Sequence, residues 1–142
     1  MTQMVSAEIE IAAPPEHVWA VLSDLAGYPQ WHPVFTETSG QLAAGSKISL
    51  TSTHEQSGRS VTAKVKVLAA EPAAELRWRS HVLGYMVSER SFTLSPADGG
   101  TRLVQTGTYR GFFARLPPKS ITRIQAGFEA INQAIKQQAE AR

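Results

Sequence analysis

Apolar and polar residues alternate at the start of the chain, where Val5, Ala7, Ile9 and Ile11 are interleaved with Ser6, Glu8 and Glu10. A period of two predicts a strand with one wet face. Ala12-Ala13-Pro14-Pro15 ends it, and proline suits the first turn of a helix, where its missing N–H is not needed. Glu16 favours the positive helix start. Val18, Trp19, Val21 and Leu22 supply the apolar stripe of a short helix. Asp24 to Pro33, punctuated by Gly27, Pro29 and Pro33, reads as a second short helix or turn.

From Val34 to Tyr109 the pattern stays strand-like. Ile48 and Leu50 alternate with Lys47, Ser49 and Thr51, and Val61, Ala63, Val65 and Val67 alternate with Thr62, Lys64 and Lys66. Leu76 and Trp78 alternate with Arg77 and Arg79, and Phe92 and Leu94 with Ser91 and Thr93. Asp98-Gly99-Gly100 predicts a hairpin turn, followed by a last strand through Thr101, Leu103, Gln105, Gly107 and Tyr109. Pro117-Pro118 breaks the chain. Ile121, Ile124, Phe128, Ile131 and Ile135 then recur every three or four residues, one face of a long helix from about Pro118 to Glu140. Strands in direct succession favour an antiparallel sheet, and the one long helix must cover its apolar face.

Composition narrows the chemistry. The 142 residues suit one domain, 1–142, large enough to bury a core without a disulfide or metal. There is no cysteine, which excludes thiol catalysis and thiolate metal sites and fits a cytoplasmic location. No signal peptide or membrane-length apolar run is visible, so integral membrane association is not expected. The net charge of +2 comes from 14 basic and 12 acidic residues, and the basic ones form no block, which argues against nucleic acid as a partner. His17, His32, His54 and His81 lack HExxH or paired i, i+4 spacing, so no metal or other cofactor is expected. Nucleophile-elbow and phosphate-loop glycine patterns are absent.

The run from Ile11 to Asp24, with Pro14-Pro15 and Val18-Trp19, continues through Tyr28-Pro29-Gln30-Trp31-His32-Pro33. Together with Glu75-Leu76-Arg77-Trp78, and Arg90 to Leu94 leading into Gly99-Gly100-Thr101, it resembles the SRPBCC superfamily, the START-like group of polyketide cyclases and lipid-transfer domains. The resemblance implies an α+β helix-grip fold. A curved antiparallel sheet of about seven strands wraps around a long C-terminal helix, and two short helices follow the first strand. It also implies a cavity between sheet and helix. One departure stands out: similar sequences often carry histidine where this chain has Arg90.

Strand phase selects candidate lining residues. If Phe92 and Leu94 point inward, so do Arg90, Ser88 and Met86. Trp78 shares a face with Leu76, Ser52 and His54 share one with Leu50, and Gln105 and Tyr109 share one with Leu103. An apolar wall with a few convergent polar groups is what a small-molecule site needs. Trp31 either plugs the second short helix onto the sheet or sits at the cavity mouth. Phe112 and Phe113 either form a lid or anchor the long helix, whose Phe128 faces the sheet. His54 is the best-placed acid–base candidate, while His17 and His32 read as solvated and structural. Three arrangements would satisfy Arg90: an internal acid such as Glu55, solvent at the mouth, or an anionic ligand group held by two parallel hydrogen bonds.

The expectation is a protein that binds an apolar or amphipathic small molecule, acidic and lipid- or polyketide-like if Arg90 anchors it. A cyclase or dehydratase using the same cavity is the alternative enzyme, since folding a reactive chain and excluding water need few acid–base groups. A protein-interaction module is a third reading, served by Lys47, Lys64, Lys66, Arg77 and Arg79 on exposed strand faces. Neither the oligomeric state nor a choice between binding and catalysis follows from the sequence.

Overall fold

The computed structural model describes residues 2–53, 57–82, 86–111 and 116–142. Seven strands form one antiparallel sheet in the order β1-β7-β6-β5-β4-β3-β2. They are β1 (Thr2–Ile11), β2 (Phe35–Ser39), β3 (Lys47–Thr53), β4 (Ser60–Glu71), β5 (Glu75–Val82), β6 (Met86–Ala97) and β7 (Gly100–Gly111). Between β1 and β2 lie α1 (Pro15–Ser23), a 3₁₀ turn at Leu25–Gly27, and the single-turn α2 (Tyr28–Trp31). The long α3 (Pro118–Glu140) closes the chain. Only β1 leaves its sequence neighbours, pairing with β7 across the whole chain and making the other sheet edge opposite β2.

Both long-range helices begin on proline. Pro14 and Pro117 occupy the N-cap positions with extended backbone, and Pro15 and Pro118 start the helices, where no donor is lost. At the β6–β7 hairpin, Gly99 has φ +80, a left-handed conformation that glycine adopts without strain.

The core lies between the concave face of the sheet and the helices. Val18, Val21, Leu22 and Leu25 from the α1 region pack with Ile48, Val67, Leu76, Phe92, Leu94 and Leu103 from the sheet and Ile131 and Ile135 from α3. A second cluster joins Val5 and Ala7 of β1 to Phe128, with Ile121 and Ile124 at its margin. Of the predicted α3 stripe, Phe128, Ile131 and Ile135 are buried, while Ile121 and Ile124 are half-buried. Sheet hydroxyls tie the helical segment down: Thr101 donates to Ala13 O at 2.7 Å and Thr38 to Leu25 O at 2.7 Å. Tyr28, fully buried, donates its hydroxyl to Leu22 O, and burial, with Asp24 nearby, pushes its pKa well up.

Two bulges interrupt the ladders, at Phe35/Glu37 between β2 and β3 and at Val67/Ala69 between β4 and β5. Bulges add twist and bend a strand. Strand β6 pairs continuously from Met86 to Ala97 with β7, so the period-two phase holds along its whole length. Toward the start of β4 the alternation persists but burial does not, since Val61 is 65 % exposed. The helix α3 packs along β1, α1 and β7, and so leaves this side of the sheet uncovered.

Candidate functional site

The helix lies to one side, and a cavity of about 150 Å³ opens over the rest of the concave face. Its apolar wall is Phe35, Leu50, Ala63, Val65 and Trp78, and its polar side chains are Ser80, Ser88, Arg90 and Tyr109, while Glu89 lines it from between them with its side chain on the other face of β6. Every strand from β2 to β7 contributes, and among the described residues α3 does not. Phe35 and Tyr109 lie on strands separated by four others, so one pocket holds both only because the sheet curls strongly.

Register builds the polar wall. Trp78, Arg90 and Gly107 stand directly opposite one another on β5, β6 and β7, and Ser80, Ser88 and Tyr109 form the next row on the same face. The Ser80 and Ser88 hydroxyls are hydrogen-bonded at 2.8 Å. Trp78 is 5 % exposed and tilts against Phe92 at a centroid distance of 5.6 Å, so it belongs to the core and the cavity wall together.

Arg90 is the charged centre of this wall. Its guanidinium carbon lies 4.8 Å from the centroid of the Phe128 ring, within cation–π range. Gly107, beside Arg90, makes that contact possible: a Cβ there would stand 2.7 Å from Phe128 Cζ and 3.1 Å from the Tyr109 hydroxyl. Among the described residues Arg90 makes no salt bridge. Dense packing around the guanidinium lowers its pKa, and Tyr109 at its side acts in the opposite direction. The group nevertheless keeps its charge, because guanidinium is not deprotonated in proteins.

His32 stands behind the Phe35 wall. Its ring stacks between Tyr28 and Phe35, with centroids 5.4 Å and 4.4 Å away. Nδ1 accepts the backbone N–H groups of Val34 at 3.0 Å and Phe35 at 3.1 Å. Burial lowers its pKa to about 3, with the Arg90 charge as the second cause. The ring is therefore neutral near pH 7, and the structural reading of His32 agrees with these contacts.

Of the residues selected by strand phase, the cavity brings together Trp78, Ser88, Arg90 and Tyr109. Trp31 packs edge-on to Tyr28 at 5.2 Å and against the core, and is not on the cavity wall. Ser52 stands opposite Phe35 and Val61, and Met86 opposite Gly111 and Val82, both on strand ends beyond the wall. Gln105 is fully buried at 0 % exposure, and Phe128 of α3, 2 % exposed, packs against Val5 and Ala7 of β1. Among the described residues neither Gln105 amide atom has a hydrogen-bond partner. His54, Glu55, Phe112 and Phe113 lie outside the described residues. Phase did not single out Phe35, Leu50, Ala63, Val65 and Ser80 as wall residues. Leu50, Ala63 and Val65 lie on the apolar phase of their strands, and Ser80, two residues after Trp78, shares its face, but nothing local marks Phe35 as a wall residue. Among the described residues no three His, Asp or Glu side chains converge as a metal ion would require.

A curved seven-stranded sheet gripping a C-terminal helix is matched at the level of sequence as well. The family model for polyketide cyclase / dehydrase and lipid transport proteins aligns with residues 2–140. The chain belongs to this family. It sits within the START-like SRPBCC superfamily, as its sequence resemblance implied, and has a ligand-binding or cyclase fold. The family's architecture recurs in solved structures. Ara h 8.0201 superposes with a TM-score of 0.81 at 17 % identity, covering 100 % of both chains. The Zhui aromatase/cyclase from Streptomyces sp. R1128 gives a TM-score of 0.78 at 20 % identity, covering 100 % of this chain and 96 % of that one. A START superfamily protein from Mycobacterium smegmatis gives 0.78 at 21 % identity, covering 97 % of each. At such identities these likenesses concern the fold. No curated protein matches the chain. No helix among the described residues is long and apolar enough to cross a membrane.

Proposed function

We propose that this family member binds an amphipathic small molecule with an acidic head, and that Arg90 holds the head. The observation carrying the reading is the split wall: a guanidinium and three hydroxyls on one side, aromatic and aliphatic side chains on the other. A permanent charge facing an apolar cavity is costly unless an anion meets it. Guanidinium meets a carboxylate or enolate with two parallel hydrogen bonds, and Ser88 and Tyr109 beside it can each add one. The space also bounds the ligand. A closed apolar cavity of about 150 Å³ accepts a benzene-sized group, so the space suits a ring or a short branched segment beside the anchored head.

The test pairs a monocyclic aromatic acid with its methyl ester, titrated by calorimetry against wild type and Arg90→Met. The acid should bind at least tenfold more tightly than the ester in the wild type, and the preference should vanish in the variant. Equal wild-type affinity for acid and ester removes the anchor role.

A cyclase- or dehydratase-type activity is the second reading, supported by the family description and by the hydroxyl beside the guanidinium. Arg90 would then steady a developing enolate and Tyr109 would exchange a proton with it. Turnover of a conjugated β-keto substrate that is lost in both Arg90→Met and Tyr109→Phe would favour catalysis over carriage.

A further inference from the structure

The back of the sheet carries a feature that the cavity does not explain. Lys47, Lys66 and Arg79 stand directly opposite one another on β3, β4 and β5. Lys64, two residues along β4, projects from the same face. Alternation turns these cations outward, because their neighbours Ile48, Val65, Val67 and Trp78 are buried on the concave side. Directly opposed like charges on adjacent strands destabilise a sheet. Elsewhere the structure avoids that cost by pairing: Arg102 reaches Glu10 at 3.3 Å and Glu8 at 3.9 Å, and Arg77 reaches Glu75 at 3.9 Å. Among the described residues, Lys47, Lys64, Lys66 and Arg79 make no salt bridge. Acidic groups near them are Glu89, opposite Arg79 on β6, and Glu37 on β2 at the patch margin.

We propose that this cationic sheet face docks the protein, reversibly, onto an anionic lipid bilayer. The patch is a row across three strands, so it presents several cations to a plane of phosphates at once. Among the described residues it also lacks an apolar centre: the exposed large hydrophobic ones there are Met4, Val34 and Val61, none of them in this row. A specific protein partner draws most of its affinity from a buried aromatic or aliphatic anchor. A charged membrane surface needs none, and attracts each lysine or arginine by about a fivefold gain in partitioning. Because the cations lie on the opposite face of the strands that line the cavity, docking leaves the cavity walls untouched. The proposal is independent of the ligand reading above.

Co-sedimentation with vesicles tests it on the full chain. Vesicles of phosphatidylcholine enriched in phosphatidylglycerol should bind the protein at low ionic strength, pure phosphatidylcholine should not, and added salt should release it. Lys64→Gln with Lys66→Gln should weaken partitioning roughly twenty-five-fold, and Arg79→Gln alone about fivefold. Lys119→Gln with Arg123→Gln, exposed on α3, removes the same charge elsewhere and should change little. Melting temperatures of all variants check that the fold is intact. Equal binding to neutral vesicles, or an equal loss from the α3 substitutions, overturns the proposal. So does a preference for polyglutamate over anionic vesicles at the same ionic strength, which would assign the face to an acidic protein.

Discussion

The Arg90 guanidinium lies over the Phe128 ring, 4.8 Å from its centroid, and the missing side chain of Gly107 is what lets the two meet. The contact joins the sheet to α3 at the edge of the polar wall. It holds a charge against an aromatic face, which favours the cation, with Tyr109 at its side.

Gly107→Ala should break that arrangement. The new Cβ would stand 2.7 Å from Phe128 Cζ, so the ring must shift. A stability loss of about 1–3 kcal/mol is expected from overpacking, together with weaker binding of acids and little change for neutral analogues. Chemical denaturation and calorimetry read the two effects separately. A variant with wild-type stability and acid affinity would show that Phe128 does not position Arg90.

Gln105 gives a prediction of opposite sign. Its amide is fully buried and among the described residues neither polar atom has a partner, nor has Oδ1 of Asn132, whose Nδ2 donates to Ala7 O at 3.2 Å. Unsatisfied buried amides cost about 1–3 kcal/mol each. Gln105→Met keeps the length and removes both groups, and should raise the unfolding free energy by roughly 1 kcal/mol. A loss of stability would reveal a bridging water or ligand group at this position.

Acidification should destabilise the fold through His32. Its folded pKa is about 3 against an ordinary 6.5, so between those values the unfolded chain takes up a proton that the folded ring refuses. The stabilisation is complete above pH 6.5 and is lost progressively as the pH falls toward 3. For a partly exposed ring the loss should be on the order of 2 kcal/mol. His32→Asn keeps an acceptor for the two backbone N–H groups and has no charge to gain. Its melting temperature should fall less between pH 7 and 4 than that of the wild type. Parallel pH profiles for the two proteins would remove His32 as the cause.

The β4–β5 turn offers a gain. Ala73 has φ 59, the left-handed region, after Pro72, and Ala74 N–H closes the turn on Glu71 O at 3.0 Å. Proline followed by a positive φ is the pattern of a type II turn, whose third residue favours glycine. Ala73→Gly should raise stability by roughly 0.5–1 kcal/mol, after allowing for the entropy glycine adds to the unfolded chain. Thermal melts suffice, and an unchanged or lower melting temperature would mean that the strain is absorbed elsewhere.

By itself, the sequence determined which face of each element is apolar. A strand has a period of two and a helix 3.6, so Phe92 and Leu94 dictated that Arg90 and Ser88 turn inward. That inference survived because β6 pairs without a bulge from Met86 to Ala97. The same periodicity marked Phe128, Ile131 and Ile135 as the buried side of α3. Only the tertiary structure decided which inward residues meet. The helix runs along β1 and β7, so its Phe128 became core against β1, whereas Trp78 and Tyr109 stayed on the cavity wall. Phe35 faces Tyr109 because the sheet curls, and Lys47, Lys66 and Arg79 form a row because three strands pair in one register. Side-chain direction is a local property of backbone geometry, written in neighbouring residues. Curvature and register are set by contacts between residues far apart in the chain, and no stretch of sequence displays them.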